Sequence, residues 1–137
     1  MEHKVSTKWK ENLAFESDVV GFKINMDAKP EVGGQNTGPN PKPVMLSALT
    51  GCTGMDVASL LKKMRQDVTD FSIDASAHMT DEHPKHYDTI HLIYRFSGKD
   101  LEESKVKKAV DLSIEKYCGI TYMLGQVAKI TYDIVID

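Results

Sequence analysis

Val5, Thr7 and Trp9 alternate with Ser6, Lys8 and Lys10, and after a turn through Glu11 and Asn12 the alternation resumes near Phe15 and again at Val20, Phe22, Ile24 and Met26. A period of two marks half-buried strands, so this segment is predicted to form a small antiparallel meander. The pattern then stops. Residues 28–43, AKPEVGGQNTGPNPKP, are too rich in Gly, Pro and Asn for helix or strand and are expected to form a loop. A loop of this length inside a compact domain is usually functional or disordered. Its glycines do not suggest a phosphate cradle, because no Lys-Ser/Thr pair follows and no strand leads directly in.

From Val44 to Met64 the period lengthens to that of a helix. Leu46, Leu49, Thr53, Val57, Leu60 and Met64 form one apolar face, and Met45, Ala48, Cys52, Met55 and Ser59 form a second stripe beside it. The third side, Ser47, Gly51, Gly54 and Ala58, is small enough to admit another backbone closely. Only Asp56 is charged between Val44 and Leu61. A helix without a polar face is expected to be buried on all sides. A short chain has few elements with which to surround one, so a second subunit is the expected resolution.

Phe71, Ile73, Ala75, Ala77 and Met79 alternate with polar residues, TDEHPKH makes a turn, and Ile90, Leu92, Tyr94 and Phe96 return as a second strand. Asp100 with Glu103 resembles a capping box opening another helix. Val106, Ala109, Val110, Ser113 and Tyr117 face inward on this amphipathic helix, with Cys118 at its end. Val127 to Ile136 alternates again as a closing strand. The order of strands, buried helix, hairpin, amphipathic helix and strand predicts an α+β fold, one domain over residues 1–137.

Composition narrows the class. With 41% hydrophobic and 27% charged residues, the 137-residue chain matches ordinary soluble domains and can bury a core. A net charge of −3 without a Lys/Arg cluster argues against a nucleic-acid partner. MEHKVSTKWK has no apolar signal core, and no apolar run is expected to reach membrane-spanning length. Two cysteines and no export signal point to a reducing cytoplasm, where both are thiols at rest.

Cys52 and Cys118 are the chemistry-bearing candidates. Either is accounted for as a core cysteine, since free cysteine is among the most often buried residues. A nucleophile would instead need its thiolate, and Cys52 lies too far along its helix for the N-terminal dipole to supply it. A nearby cation is then required, and the chain's arginines are only Arg65 and Arg95. The two cysteines can meet only through tertiary structure. If they do, thiolate attack on a peroxide followed by condensation of the sulfenic acid with the second thiol is the implied chemistry. His78, His83, His86 and His91 are close in sequence but lack the helical spacing of a zinc site, so no metal is expected from them.

GPNPKPVMLSALTGCTGMDV, followed by LLKKMRQ and then EKYCGITYML, resembles the OsmC/Ohr family of thiol peroxidases, and MDAKPEVGG is similar to a bacillus-type branch of it. The resemblance covers essentially the whole chain. It implies antiparallel sheets around a buried central helix and an intertwined homodimer with each site at the subunit interface. It further implies reduction of organic hydroperoxides in oxidative stress defence, with Cys52 as nucleophile and Cys118 as resolving cysteine. No cofactor is implied; the disulfide would be reduced by an external dithiol or a lipoylated protein. Met45, Met55 and Met123 are candidates to line an apolar pocket.

The tuning residues of the family do not carry over. Its glutamate precedes the cysteine by nine or ten residues, where this chain has Pro43 and Lys42, and its arginine comes from N-terminal strands that here hold none. Lys42 or Lys23 would supply a point charge without the arginine fork, and Glu31 would supply a carboxylate. These substitutions favour an alternative: a non-catalytic binding or redox-sensing protein that uses the interfacial pocket.

Overall fold

The computed structural model describes all residues, Met1–Asp137. Its contacts group into two compact units, residues 1–47 and 48–137.

The first unit contains the expected meander. Strands β1 (Val5–Glu11), β2 (Ala14–Val19) and β3 (Phe22–Met26) pair antiparallel in that order. The β2–β3 turn places Val20 at φ 51° and Gly21 at φ 90°. Two consecutive positive φ values match the twist that a two-residue hairpin requires. Asp18 holds the turn by accepting the Gly21 amide at 2.9 Å.

The loop that follows is organised around one carboxylate. Asp27, only 3% exposed, accepts from the Ala28 amide (2.7 Å), the Thr37 amide (3.1 Å), the Thr37 hydroxyl (2.6 Å) and the Gln35 amide (3.3 Å). The Asp27 amide in turn donates to the Pro39 carbonyl at 3.1 Å. The Thr37 hydroxyl and then the Ala28 amide hold the Asp27 pKa down to about 2. Within this ring Pro30–Val32 forms a 3₁₀ turn.

Helix α1 spans Pro41–Lys63, three residues earlier at its start than the pattern predicted. Proline fits the first helical position because its missing N–H would have no helical partner there.

In the second unit β4 (Asp67–Met79) and β5 (Tyr87–Lys99) form the expected hairpin, and β6 (Lys129–Ile136) lies beside β5. The β5–β6 pairing is parallel, which corrects the expectation of antiparallel pairing throughout. Parallel neighbours need a crossover long enough to return the chain to the same end, and helices α2 (Glu103–Leu112) and α3 (Gly119–Gly125) supply it. The core is built from Leu49, Val57 and Leu61 of α1, Ile90, Leu92, Tyr94 and Phe96 of β5, and Val106, Ala109 and Val110 of α2. Each such side chain contributes roughly 1.5–3 kcal/mol on burial, smaller residues less. The rings of Phe71 and Phe96 stack with centroids 4.5 Å apart.

Helix α1 departs from expectation in its environment. Within the chain it buries Leu49, Thr53, Val57 and Leu61, a strict four-residue spacing in which Leu61 takes the place expected of Leu60. Its other faces are open: Met45 is 47% exposed and Met55 76%. Gly54 faces the chain's own sheet, where an added Cβ would lie 3.3 Å from Ile73 Cδ1, whereas nothing lies within 4 Å at Gly51. By length and composition α1 could cross a membrane, which corrects the expectation that no apolar run is long enough. Its buried stripe makes it a core helix of this unit.

The expected capping box is also absent. Asp100 adopts φ 53° in the turn after β5, and α2 starts at Glu103 with Glu102 as an N-cap that makes no side-chain cap bond. A reciprocal pair replaces it: the Glu102 amide donates to Gln66 Oε1 (2.8 Å) while Gln66 Nε2 donates to Glu102 Oε2 (3.0 Å).

Candidate functional site

The position of Cys118 depends on an interruption in the second predicted helix. After Leu112 the helix widens into a π-helical turn, Ser113–Tyr117, and the chain becomes extended at Cys118 (φ −76°, ψ 101°) before α3 begins. Tyr117 is therefore 51% exposed rather than inward, because the widened turn rotates it off the buried stripe. Cys118 becomes the N-cap of α3 and is 4% exposed, with its sulfur accepting the Thr121 amide at 3.4 Å. An N-cap side chain takes an amide left without a helical partner, and here the acceptor is sulfur.

Cys52 lies in the middle of α1, beside the buried stripe. Its sulfur, that of Cys118 and a carboxylate oxygen of Asp56 all lie within 4.8 Å of one another. Both cysteines are free thiols. Cys52 and Asp56 are one helical turn apart on the same face, and α3 brings the second sulfur to them.

The surroundings of Cys52 favour its thiol over its thiolate. Burial is the largest influence raising its pKa above the ordinary 9.0, followed by the hydrogen bond with Cys118. The Ile120 amide works in the opposite direction, while the negative charges of ionised Cys118 and Asp56 raise it further. A backbone amide is thus the group that opposes burial and like charge.

Behind the cysteines runs a line of buried hydroxyls. A carboxylate oxygen only accepts, so Ser113 Oγ donates its single proton to Asp56 Oδ2 at 3.0 Å. Ser113 then accepts from Thr53 Oγ1 (2.7 Å), and Thr53 accepts from the Tyr94 hydroxyl (2.8 Å). The direction Tyr94→Thr53→Ser113→Asp56 follows from proton supply alone. Thr53, Tyr94 and Ser113 are fully buried. Burial pushes the Tyr94 pKa up to about 12, so the phenol keeps the proton that the line needs. Thr121, whose amide is capped by Cys118 Sγ, carries a buried hydroxyl without a hydrogen-bond partner.

The other predicted residues are placed as follows. Lys42 is exposed in the first turn of α1, about three helical turns before Cys52. Lys23 is exposed on β3 and pairs with Asp18 (3.2 Å) and Glu16 (3.9 Å) of its own sheet. Glu31 is exposed in the 3₁₀ turn. Met45, Met55 and Met123 are all solvent-facing in the chain, Met123 at 61%. The histidines engage separately: His78 with Asp88 (2.8 Å), His86 with the Pro84 carbonyl, and His91 between Thr131 (2.7 Å) and Asp133 (3.0 Å). Sequence reasoning missed Asp56, Thr53, Ser113 and Tyr94 as site residues. Asp56 was visible as the lone charge of an apolar helix, one turn from Cys52. Thr53 and Ser113 were polar residues on two inward faces, which need partners when buried.

Known proteins share the fold and much of the sequence. Residues 34–133 match the family model of OsmC-like protein. Protein YhfA of Escherichia coli K12 is 37% identical over 126 residues, covering 91% of each chain. A hypothetical protein of Aquifex aeolicus superposes with a TM-score of 0.86 at 30% identity, covering 100% of this chain and 98% of that one. An organic hydroperoxide resistance protein of Elizabethkingia anophelis shares the fold with a TM-score of 0.76 at 11% identity, covering 100% and 97% of the two chains. The chain belongs to the OsmC-like protein family.

Proposed function

We propose that this chain is a thiol peroxidase that reduces organic hydroperoxides, with Cys52 as the nucleophile and Cys118 as the resolving cysteine. The observation that carries the reading is the approach of two free thiols, one from mid-α1 and one capping α3, to within 4.8 Å together with Asp56. The OsmC-like family and the hydroperoxide-resistance names of structural neighbours support the redox class.

In the proposed cycle Cys52 Sγ, as thiolate, attacks the terminal oxygen of ROOH. The O–O bond breaks, the alkoxide takes a proton to leave as ROH, and Cys52 becomes a sulfenic acid. Cys118 Sγ attacks that sulfur, hydroxide departs and is protonated to water, and a Cys52–Cys118 disulfide remains. The peroxide has gained two electrons and the dithiol has lost them. An external dithiol, a lipoylated protein in this reading, then reduces the disulfide by exchange. Within the chain the Ile120 amide favours the Cys52 thiolate, and Lys42, Lys23 and Glu31 do not act on it.

The open apolar faces of α1 are proposed to be covered by a second copy in a homodimer, in a cytoplasmic protein. Solvent-facing Met55 and Tyr122, at 76% and 71%, are the kind of surface that marks an interaction site.

One observation favours the binding or redox-sensing alternative: the Cys52 thiol is pushed up rather than down. Cumene hydroperoxide consumption with a dithiol reductant separates the readings. The wild type should turn over, Cys118→Ser should stop after about one equivalent, and Cys52→Ser should be inert. Wild-type consumption no faster than that of Cys52→Ser rules out the peroxidase.

A further inference from the structure

Two of the three groups in the Cys52–Asp56–Cys118 cluster have a hydrogen-bond donor behind them. The Thr121 amide reaches Cys118 Sγ at 3.4 Å, and Ser113 Oγ reaches Asp56 Oδ2 at 3.0 Å. Donors set behind anionic ligands are the usual outer shell of a metal site, where they orient the ligands and stabilise their charge. The Ser113 donor is itself fixed, because Thr53 and Tyr94 determine where its proton points.

We infer that the reduced protein binds one soft-to-borderline divalent cation, of which Zn²⁺ is the representative, through Cys52 Sγ, Cys118 Sγ and an Asp56 oxygen. Two thiolates and one carboxylate form a donor set suited to Zn²⁺, Co²⁺ or Cd²⁺ rather than to Mg²⁺ or Ca²⁺, which take oxygen ligands. Tetrahedral zinc with sulfur at about 2.3 Å and oxygen at about 2.0–2.2 Å places ligand atoms roughly 3.5–3.8 Å apart. The mutual distances here, all within 4.8 Å, need a closure of at most about 1.3 Å, which rotamer adjustment can supply. Charge points the same way. Two thiolates beside a carboxylate repel one another, and a divalent cation converts that repulsion into attraction. Three protein ligands leave a fourth position open to water or another donor.

The site is separate in kind from the proposed peroxide chemistry, although it shares two sulfurs with it. A disulfide withdraws both sulfur ligands, so metal binding and disulfide closure are mutually exclusive states of the pair.

The test uses the full, fully reduced, metal-free chain and contains no peroxide. Zn²⁺ is titrated against a chromogenic chelator, and Co²⁺ is used as the spectroscopic probe. One equivalent per chain should bind, with a thiolate-to-cobalt charge-transfer band and the visible bands of a tetrahedral site. Cys52→Ser and Cys118→Ser should each weaken the charge-transfer band. Asp56→Asn keeps both thiols and the side-chain shape, and should lower Zn²⁺ affinity at least about tenfold. Ser113→Ala, which removes the donor to the Asp56 carboxylate but no ligand, should lower it by about 10–100-fold, with circular dichroism confirming that the fold is retained. Failure to bind a stoichiometric ion overturns the inference. So does equal affinity in wild type, Asp56→Asn and Ser113→Ala, which would mean that the thiols capture metal without a built site. Stoichiometric binding by a protein that consumes no peroxide supports the metal site and removes only the peroxidase. Peroxide turnover in chelator by a protein that takes up no ion does the reverse.

Discussion

Thr53→Val is the substitution that tests whether the buried hydroxyl line holds this unit together. The change is nearly isosteric and leaves the α1 backbone alone. It removes the acceptor for the Tyr94 hydroxyl (2.8 Å) and the donor to Ser113 Oγ (2.7 Å). Ser113 keeps Asp56 Oδ2 at 3.0 Å, so it retains a partner. Tyr94, fully buried, does not, and an orphaned buried hydroxyl costs about 1–3 kcal/mol. The added methyl returns less than about 1 kcal/mol through burial. The expected net loss is about 1–2 kcal/mol, which at this chain length lowers Tm by about 3–7 °C. Urea and thermal unfolding at fixed protein concentration measure it, since dimerisation would make Tm concentration-dependent. A double-mutant cycle with Tyr94→Phe isolates the cause: with the phenol oxygen gone, Thr53→Val should cost about 1 kcal/mol less than it does alone. A Thr53→Val protein within about 0.5 kcal/mol of wild type, or strict additivity in the cycle, refutes the reasoning.

Further outcomes follow from the same structure. Because burial and negative neighbours raise the Cys52 pKa above 9.0, its thiol persists to higher pH, and iodoacetamide alkylation followed by mass spectrometry should reach half its maximal rate only above that value. Asp56→Asn removes one raising charge and should shift the alkylation profile to lower pH; an unchanged or upward shift contradicts the electrostatics. The Asp27 pKa is depressed to about 2, so its clamp on the loop is complete above the ordinary 3.8 and is lost as pH falls through about 2. Amide exchange at Gln35 and Thr37 should stay protected at pH 4, and Asp27→Ala, with no acceptor oxygen, should remove that protection. Met55→Glu places a charge on the open face of α1 and should convert a dimer to monomer in light scattering; a monomeric wild type would refute the proposed homodimer.

Periodicity was a reliable guide wherever an element buries one face against its own chain. The strands at Phe71–Ala77 and Ile90–Phe96, and the inward set Val106, Ala109, Val110 and Ser113, appear where the pattern places them. It failed where a local backbone choice decides the outcome. Asp100 and Glu103 have the spacing of a capping box, yet Asp100 takes a left-handed conformation to close the turn after β5 and is no longer available as a cap. A helical stripe from Val106 to Tyr117 does not announce that five of its residues form a wider turn, and Cys118 was therefore placed at a helix end instead of a helix start. The signal for α3 was present in the spacing of Ile120, Met123 and Leu124. Parallel pairing of β6 was legible from the helical segments between the strands, which a tight hairpin does not contain. The cysteine motifs were visible from the resemblance, but the carboxylate beside them was not, because the family's glutamate lies upstream of the cysteine whereas Asp56 lies downstream of Cys52.

That carboxylate gives the site its internal tension. A peroxidatic cysteine works as a thiolate, yet Asp56 opposes ionisation of Cys52, and three fully buried hydroxyls hold the carboxylate in place. A cation between the three groups resolves the conflict, because the carboxylate that disfavours a bare thiolate favours a metal-bound one. Asp56→Asn therefore moves two properties in opposite directions: the free thiol becomes easier to ionise and the ion is held more weakly. A packing role for Asp56 would move them together or leave both unchanged, so measuring alkylation and Zn²⁺ affinity on this single variant distinguishes an electrostatic site from a structural one.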